Sequence, residues 1–178
     1  ENVKTIESVP LRLFKPISGI FEGEVWMSKK NLLELNKERE GMGEPLFANP
    51  RNVAAGSIRQ LDPKIAAKRK LDNFIYDVAS IGISFPKTQI DELLLLSELG
   101  FKVNRNYTLC ESVEEIIKYW KYWQKHGKNE PYLIDGVVVK INEKSLFEFE
   151  LYYIGKGSHN SADSLNPLDT YYHLGLNY

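Results

Sequence analysis

Polar and apolar residues alternate along residues 20–27, and this period of two predicts a β-strand. One face of this strand would carry Glu22, Glu24 and Trp26, while the opposite face would be apolar. Two carboxylates on one strand face are usually exposed to solvent. The alternative is that this face lines a pocket, in which Glu24 would accept hydrogen bonds from a ligand.

Helical patterns preceded by capping residues alternate with further strands along most of the chain. The predicted N-caps are Ser28, Asn49, Asp62, Thr88 and Ser112. The predicted helices cover residues 29–40 and 89–99 and also begin at Pro50, Pro63 and Val113, and the other predicted strands cover 73–81, 101–103 and 132–142. From about residue 152 the periodicity disappears, which predicts a loop or a disordered tail.

The predicted strand over residues 132–142 contains one lysine, Lys140, among apolar neighbours. A lysine is costly to bury without a partner. We therefore expect Lys140 either to reach solvent at a sheet edge or to meet an anion. Asp135 precedes Gly136, and we expect this pair to form the turn at the start of the strand.

The stretch FANPRNVAAGSIRQLD, residues 47–62, combines small residues with two arginines, Arg51 and Arg59. Taken alone, it is typical of a helix that packs closely through its small residues and exposes both arginines. Further basic residues follow, so that lysines and arginines cluster between positions 59 and 70. This cluster fits a solvated surface and a local phosphate-binding patch equally well.

Composition limits the alternatives. The chain has 178 residues, a formal net charge of −1 and one cysteine, Cys110. These values exclude a disulfide within the chain and a zinc site of several cysteines, and they give no overall positive field for nucleic acid. We see no apolar run of membrane-spanning length and no secretory signal, so we expect a cytoplasmic protein without membrane contact.

Three strings identify a family resemblance: FEGEVWM, FANPRNVAAGSIRQLDPKIAAKRKL and PYLIDGVVVKIN. In this order they closely resemble the adenylation (nucleotidyltransferase) domain of bacterial NAD-dependent DNA ligases, over roughly residues 1–150. The resemblance implies an α+β fold, in which antiparallel sheets floor a nucleotide pocket and helices flank them. It divides the chain into an incomplete, ATP-grasp-like adenylation domain (residues 1–151) and an atypical tail (residues 152–178).

The same resemblance implies an activity. Such ligases form a lysyl-AMP with NAD as the AMP donor, pass the AMP to a 5′-phosphate in nicked double-stranded DNA and then seal the nick. These are phosphoryl transfers, which need positive groups and Mg²⁺. The family acts in DNA replication and DNA repair, and we expect a monomer.

Site residues follow from the resemblance position by position. Glu24 is similar to the family's adenosine-binding glutamate, and Lys140 to the lysine that contacts the nucleotide and balances charge during transfer. Arg51 resembles the arginine near the AMP and the nick, and Arg59 the one that reaches DNA phosphate. Asp135 resembles the active-site aspartate. Asp135 and Lys140 are thus the expected catalytic residues, with Glu24, Arg51 and Lys140 on the cofactor and Arg51 and Arg59 on DNA.

Two departures from the family pattern affect the expected activity. The resemblance places the nucleophilic lysine before Glu1, so we expect this chain alone to be unable to adenylate itself. Lys156 is in step with the family, but the likeness then ends, and we hypothesise that the reading frame was lost near Ser158. The alternatives are a catalytically dead remnant that binds nucleotide or DNA, and an ATP-dependent polynucleotide ligase, against which the FANPRN string argues.

Overall fold

A computed structural model describes residues 1–146 and 152–155, with side chains for residues 1–145. Within these residues five α-helices accompany four β-strands and short 3-10 turns. The helices are α1 (Lys29–Gly41), α2 (Pro50–Ile58), α3 (Pro63–Lys68), α4 (Gln89–Glu98) and α5 (Val113–His126), and the strands are β1 (Gly19–Trp26), β2 (Asp72–Ile81), β3 (Gly136–Val139) and β4 (Tyr152–Gly155). Lys156, Ser158 and the rest of the predicted tail lie outside the described residues.

The five predicted helix starts are confirmed. In every case the side chain of the N-cap residue accepts a hydrogen bond from a backbone N–H in the first turn, and two of the helices begin with proline. These bonds satisfy donors that have no partner within the helix. The capping residues are Ser28, Asn49, Asp62, Thr88 and Ser112.

The strands form two antiparallel pairs, β1 with β2 and β3 with β4. Together with the helices they confirm the expected α+β class. The β1–β2 register shifts twice, between Ile20 and Phe21 and between Glu22 and Gly23. Such shifts bend a strand and re-aim its side chains, which matters here because both glutamates of β1 lie beside the second shift.

Two apolar clusters lie against the end of β1. Met27 packs with Ile6, Val53, Ala54 and Leu71, which joins β1 to helix α2. Trp26 instead packs with the aromatic rings of Phe74 and Tyr132. The alternation predicted for residues 20–27 therefore holds, but its polar face becomes buried where it reaches Trp26.

Three predictions about the strands and loops were wrong. Residues 101–103 do not form a strand, and the Lys102 carbonyl accepts one backbone hydrogen bond from Ile75 of β2. The strand predicted over 132–142 is limited to β3, because Asn142 turns away to bond the start of α4. The loop expected from residue 152 begins instead with strand β4, which pairs with β3.

No helix among the described residues is long and apolar enough to cross a membrane.

Gly23 provides a test of the β1–β2 packing. A Cβ atom at this position would lie 2.3 Å from the Phe74 carbonyl oxygen and 2.5 Å from Cδ1 of Ile75, so one strand would have to move. We expect Gly23→Ala to lower the free energy of unfolding by about 1–3 kcal/mol in denaturant titrations.

Gly56→Ala is the matched control. Gly56 lies within α2, and a Cβ atom there would meet nothing within 4 Å. Because alanine is the better helix former, this variant should be more stable than the parent by up to about 1 kcal/mol. A Gly23→Ala protein as stable as the parent would contradict the close strand contact.

Candidate functional site

Lys140 follows the last residue of β3, and only 13% of its side chain is exposed. Its Nζ lies 3.6 Å from Oδ2 of Asp77 on β2 and 5.4 Å from the centre of the Tyr76 ring. Of the two outcomes expected for this lysine, the structure shows the second. It meets an anion, and that anion is a carboxylate of the same chain.

Asp77 also faces a second lysine. Its Oδ1 lies 3.7 Å from Nζ of Lys144, whose ammonium contacts the carboxylate of Glu92. Glu92 has no exposed surface, and its Oε1 also accepts a hydrogen bond from the Val78 N–H at 3.2 Å. We call Asp77, Glu92, Lys140 and Lys144 the charge network, in which two cations offset two anions within a low dielectric.

Backbone hydrogen bonds bring the parts of this network together. The Asn142 carbonyl accepts from the Gln89 N–H at 2.7 Å, and the Asn142 side chain accepts from the Ile90 N–H at 3.3 Å. The Lys144 N–H donates to the Lys87 carbonyl at 2.9 Å. The segment after β3 is thereby fixed to the start of α4, which places Lys144 beside Glu92.

Burial and acidic neighbours shift the pKa values of Tyr76 and Lys140. Burial, then the charges of Glu24, Glu22 and Asp77, raise the pKa of Tyr76 to about 12. Burial lowers the pKa of Lys140, while Asp77 and, more weakly, Glu22 oppose that change. Glu24 and Lys140 therefore both lie in the surroundings of Tyr76.

A cavity of about 620 Å³ lies beside Tyr76 and Lys140. Tyr76, Lys140 and Gln89 contribute to its lining, and its volume falls within the usual range for small-molecule sites. Gln89 is buried and donates from Nε2 to the Tyr76 carbonyl at 3.2 Å. Its buried Oε1 accepts no hydrogen bond from the described residues.

The remaining predicted site residues lie in or next to helix α2 and before strand β3. Arg51 opens α2, and Arg59 is the exposed C-cap of the same helix. Helix α2 packs on β1, so the arginines mark the two ends of a helix next to the strand that carries Glu24. Asp135 is exposed immediately before β3, at the end of the strand opposite to Lys140.

The described residues contain no group of three or more histidine, cysteine, aspartate or glutamate side chains that could hold a metal ion. Mg²⁺ at phosphoryl-transfer sites commonly takes one or two carboxylates together with substrate phosphates and water, and does not need a protein cage.

Sequence reasoning missed Tyr76, Asp77, Glu92 and Lys144. A usable signal existed for Glu92, because it shares a helix face with Gln89 and Leu96 at spacings of three and four residues. Asp77 stands in a largely apolar strand, and the burial argument made for Lys140 applies to it equally. No comparable signal marks Lys144, whose partners come from β2 and α4.

Fold and site together define an α+β domain in which a lysine, a tyrosine and a glutamine line a cavity, and the lysine is paired with an aspartate. The model of the NAD-dependent DNA ligase adenylation domain matches residues 1–158, and the chain belongs to that family. This confirms the resemblance seen in the sequence.

Curated relatives agree with the family match. DNA ligases of Bacillus cytotoxicus, Bacillus thuringiensis strain Al Hakam and Bacillus cereus strain B4264 are each 47% identical to the chain over 148 residues. These alignments cover 83% of this chain but 22% of each relative. The chain thus spans about a fifth of the length of the relatives that it matches.

The charge network predicts a large difference between two lysine variants. Lys144→Met removes the cation from the fully buried Glu92, and a buried charge without its partner typically costs about 3–5 kcal/mol of stability. Denaturant unfolding should show a loss of this size.

Lys102→Met is the control, because Lys102 pairs with Asp72 of β2 and the side chains of this pair are more exposed than those of Lys144 and Glu92. Exposed pairs contribute about 0–1 kcal/mol, so this variant should remain close to the parent. Equal losses for the two variants would show that the Glu92 pair has no special weight.

Proposed function

We propose that the chain provides nucleotide-binding and DNA-contacting parts of the adenylation domain of an NAD-dependent DNA ligase. The substrates are NAD, as the AMP donor, and nicked double-stranded DNA. Family membership supports this assignment over the alternative of a catalytically dead remnant that binds nucleotide or DNA without ligation. The observation that carries it is the placement of Lys140, Tyr76 and the Gln89 acceptor on one cavity.

The cavity suits the AMP part of NAD in size and in chemistry. An aromatic ring, Tyr76, offers a stacking surface for a base, and Gln89 Oε1 can accept from an exocyclic amino group. Glu24, close enough to raise the pKa of Tyr76, binds the adenosine part in this proposal. Lys140 supplies a positive charge for the phosphate in a poorly solvated position.

Phosphoryl transfer is catalysed mainly by positioning and by stabilising negative charge. Lys140 would hold the AMP phosphate and balance the charge that develops on its oxygens, and Asp135 is the proposed catalytic carboxylate. Mg²⁺ would neutralise further phosphate charge when bound. Its ligands would include substrate oxygens, because no cage of protein side chains occurs among the described residues.

Helix α2 is the proposed link between nucleotide and DNA. Arg51 at its start would contact the AMP and the nick, and Arg59 at its end would contact a DNA phosphate. The exposure of Arg59 and the lysines and arginines that follow it support a phosphate-facing surface. A ligase of this kind would act as a cytoplasmic monomer on nicks left by DNA replication and repair.

Binding of AMP to the 178-residue chain tests the nucleotide site. Lys140→Met should weaken AMP binding at least about tenfold by calorimetry and leave adenosine binding unchanged, because the lysine is assigned to the phosphate. Glu24→Gln should weaken both ligands, because the glutamate is assigned to the adenosine part.

Lys102→Met is again the control. Lys102 resembles Lys140 in lying 5.4 Å from the centre of an aromatic ring, Phe74, and in pairing with an aspartate of β2. Its loss should leave AMP affinity unaltered. No AMP binding by the parent, or equal binding by parent and Lys140→Met, would refute the proposed site.

Nicked duplex DNA tests the role of Arg59. Arg59→Ala should weaken binding to duplexes of any sequence alike and reduce the slope of log affinity against log salt by about 1 in magnitude, because one phosphate contact is lost. Fluorescence anisotropy over a salt series measures both quantities.

Arg105→Ala serves as the control, since Arg105 is also exposed but belongs to the segment between α4 and α5. It should keep the parent's slope. If both arginines change the slope equally, binding is a general charge effect and α2 does not form a specific surface.

A further inference from the structure

We infer that Asp77 is an exchangeable counter-ion of Lys140: a phosphate takes its place on the lysine, while Lys144 continues to compensate Asp77. Asp77 is thus a positioning residue that competes with the ligand for Lys140. The inference rests on the proposed function and adds to it a residue outside the expected site set.

The distances favour exchange at one point of the charge network. Asp77 presents different oxygens to the two lysines, Oδ2 to Lys140 at 3.6 Å and Oδ1 to Lys144 at 3.7 Å. Both separations exceed the usual N–H···O hydrogen-bond range of about 2.7–3.2 Å, so neither pair is closely bonded. Lys140 can therefore leave one oxygen without disturbing the contact made by the other.

Other partners keep Asp77 in place after such an exchange. Its Oδ1 accepts a hydrogen bond at 2.9 Å from the Val78 N–H, which is shared with Oε1 of Glu92 at 3.2 Å. Lys144 remains nearby because Glu92 and the Lys87 carbonyl hold it. An anion that binds Lys140 takes the place of the Asp77 carboxylate beside the lysine. Lys140 then keeps an anionic partner throughout, so exchange costs less than removing it from an anion altogether, while Lys144 is left to balance both Asp77 and Glu92.

The charged and titratable groups around Lys140 determine how pH affects the exchange. Asp77 and Tyr76 face it from β2, Glu22 acts on it from β1, and Lys144 lies across Asp77 on the segment after β3. Burial lowers the pKa of Lys140, and Asp77 is the strongest opposing influence. Removing the Asp77 charge should therefore lower this pKa further, and the alkaline loss of phosphate binding should occur at lower pH.

The decisive variant is Asp77→Asn, which retains an oxygen for the Val78 N–H. At neutral pH we expect AMP to bind roughly three- to tenfold more tightly than to the parent, because the competing anion is gone. Adenosine, which has no phosphate, should bind with unchanged affinity. On raising the pH, AMP binding should fall earlier in the variant. Unchanged or weaker AMP binding, or an equal gain for adenosine, would overturn the inference.

A double variant separates exchange from direct repulsion between Asp77 and the phosphate. If Asp77 acts by occupying Lys140, then Asp77→Asn should give no gain in the Lys140→Met background. A gain of the same size in that background would show simple repulsion and overturn the exchange. Asp72→Asn, which neutralises another aspartate of β2 paired with a lysine, should leave AMP affinity unchanged.

The parent protein gives an independent measurement in case Asp77→Asn does not fold. In NMR titrations with AMP, the carboxyl carbon of Asp77 and Cε of Lys140 should shift together, and adenosine should move neither. AMP binding without a shift at Asp77 would overturn this inference and leave the proposed function standing. Absence of AMP binding by the folded parent would instead overturn both.

Discussion

The constraint on which the site depends is the complete burial of Glu92. A carboxylate without access to water must be paired and hydrogen-bonded to remain ionised. In this chain the Val78 N–H and the Lys144 ammonium meet that requirement, so a strand, a helix and the segment after β3 have to converge at Glu92. The position of Lys140 follows, because it lies directly after β3 and four residues before the fixed Lys144. A stability requirement thus determines where the proposed phosphate-binding lysine lies.

The same convergence brings acidic residues and lysines together around Tyr76 and Asp77. Glu22, Glu24 and Asp77 bring negative charge to the region around Tyr76. Burial and these charges raise the pKa of Tyr76 to about 12. An anionic ligand would be repelled from such a face without lysines. Lys140 and Lys144 supply the opposing charge, and their partial burial strengthens it relative to water. In the proposed function these lysines would recognise a phosphate, while the acidic groups would limit how tightly the phosphate is held.

Local features of this fold could be predicted from the sequence, whereas its long-range pairings could not. The N-caps depend on a side chain and a backbone group two or three residues away, so Ser28 or Thr88 could be identified directly. The partner of Lys140 is 63 positions away on β2, and alternation within one strand contains no information about it. The roles expected of Arg51, Arg59 and Asp135 came from family resemblance, because the sequence around these charged residues contains no pattern that indicates a role.

The chemistry of lysine fits the exchange better than that of arginine would. A guanidinium presents a planar fork that binds both oxygens of a carboxylate, and such a bidentate pair at Asp77 would exclude Lys144 and resist displacement. An ammonium is a compact charge on a flexible stem, and at 3.6 Å it can leave Asp77 by rotation of its own side chain. Its pKa also responds to burial, which makes its charge dependent on whichever anion is near. The same properties that make a buried lysine costly would therefore allow position 140 to alternate, as proposed, between an internal carboxylate and a substrate phosphate.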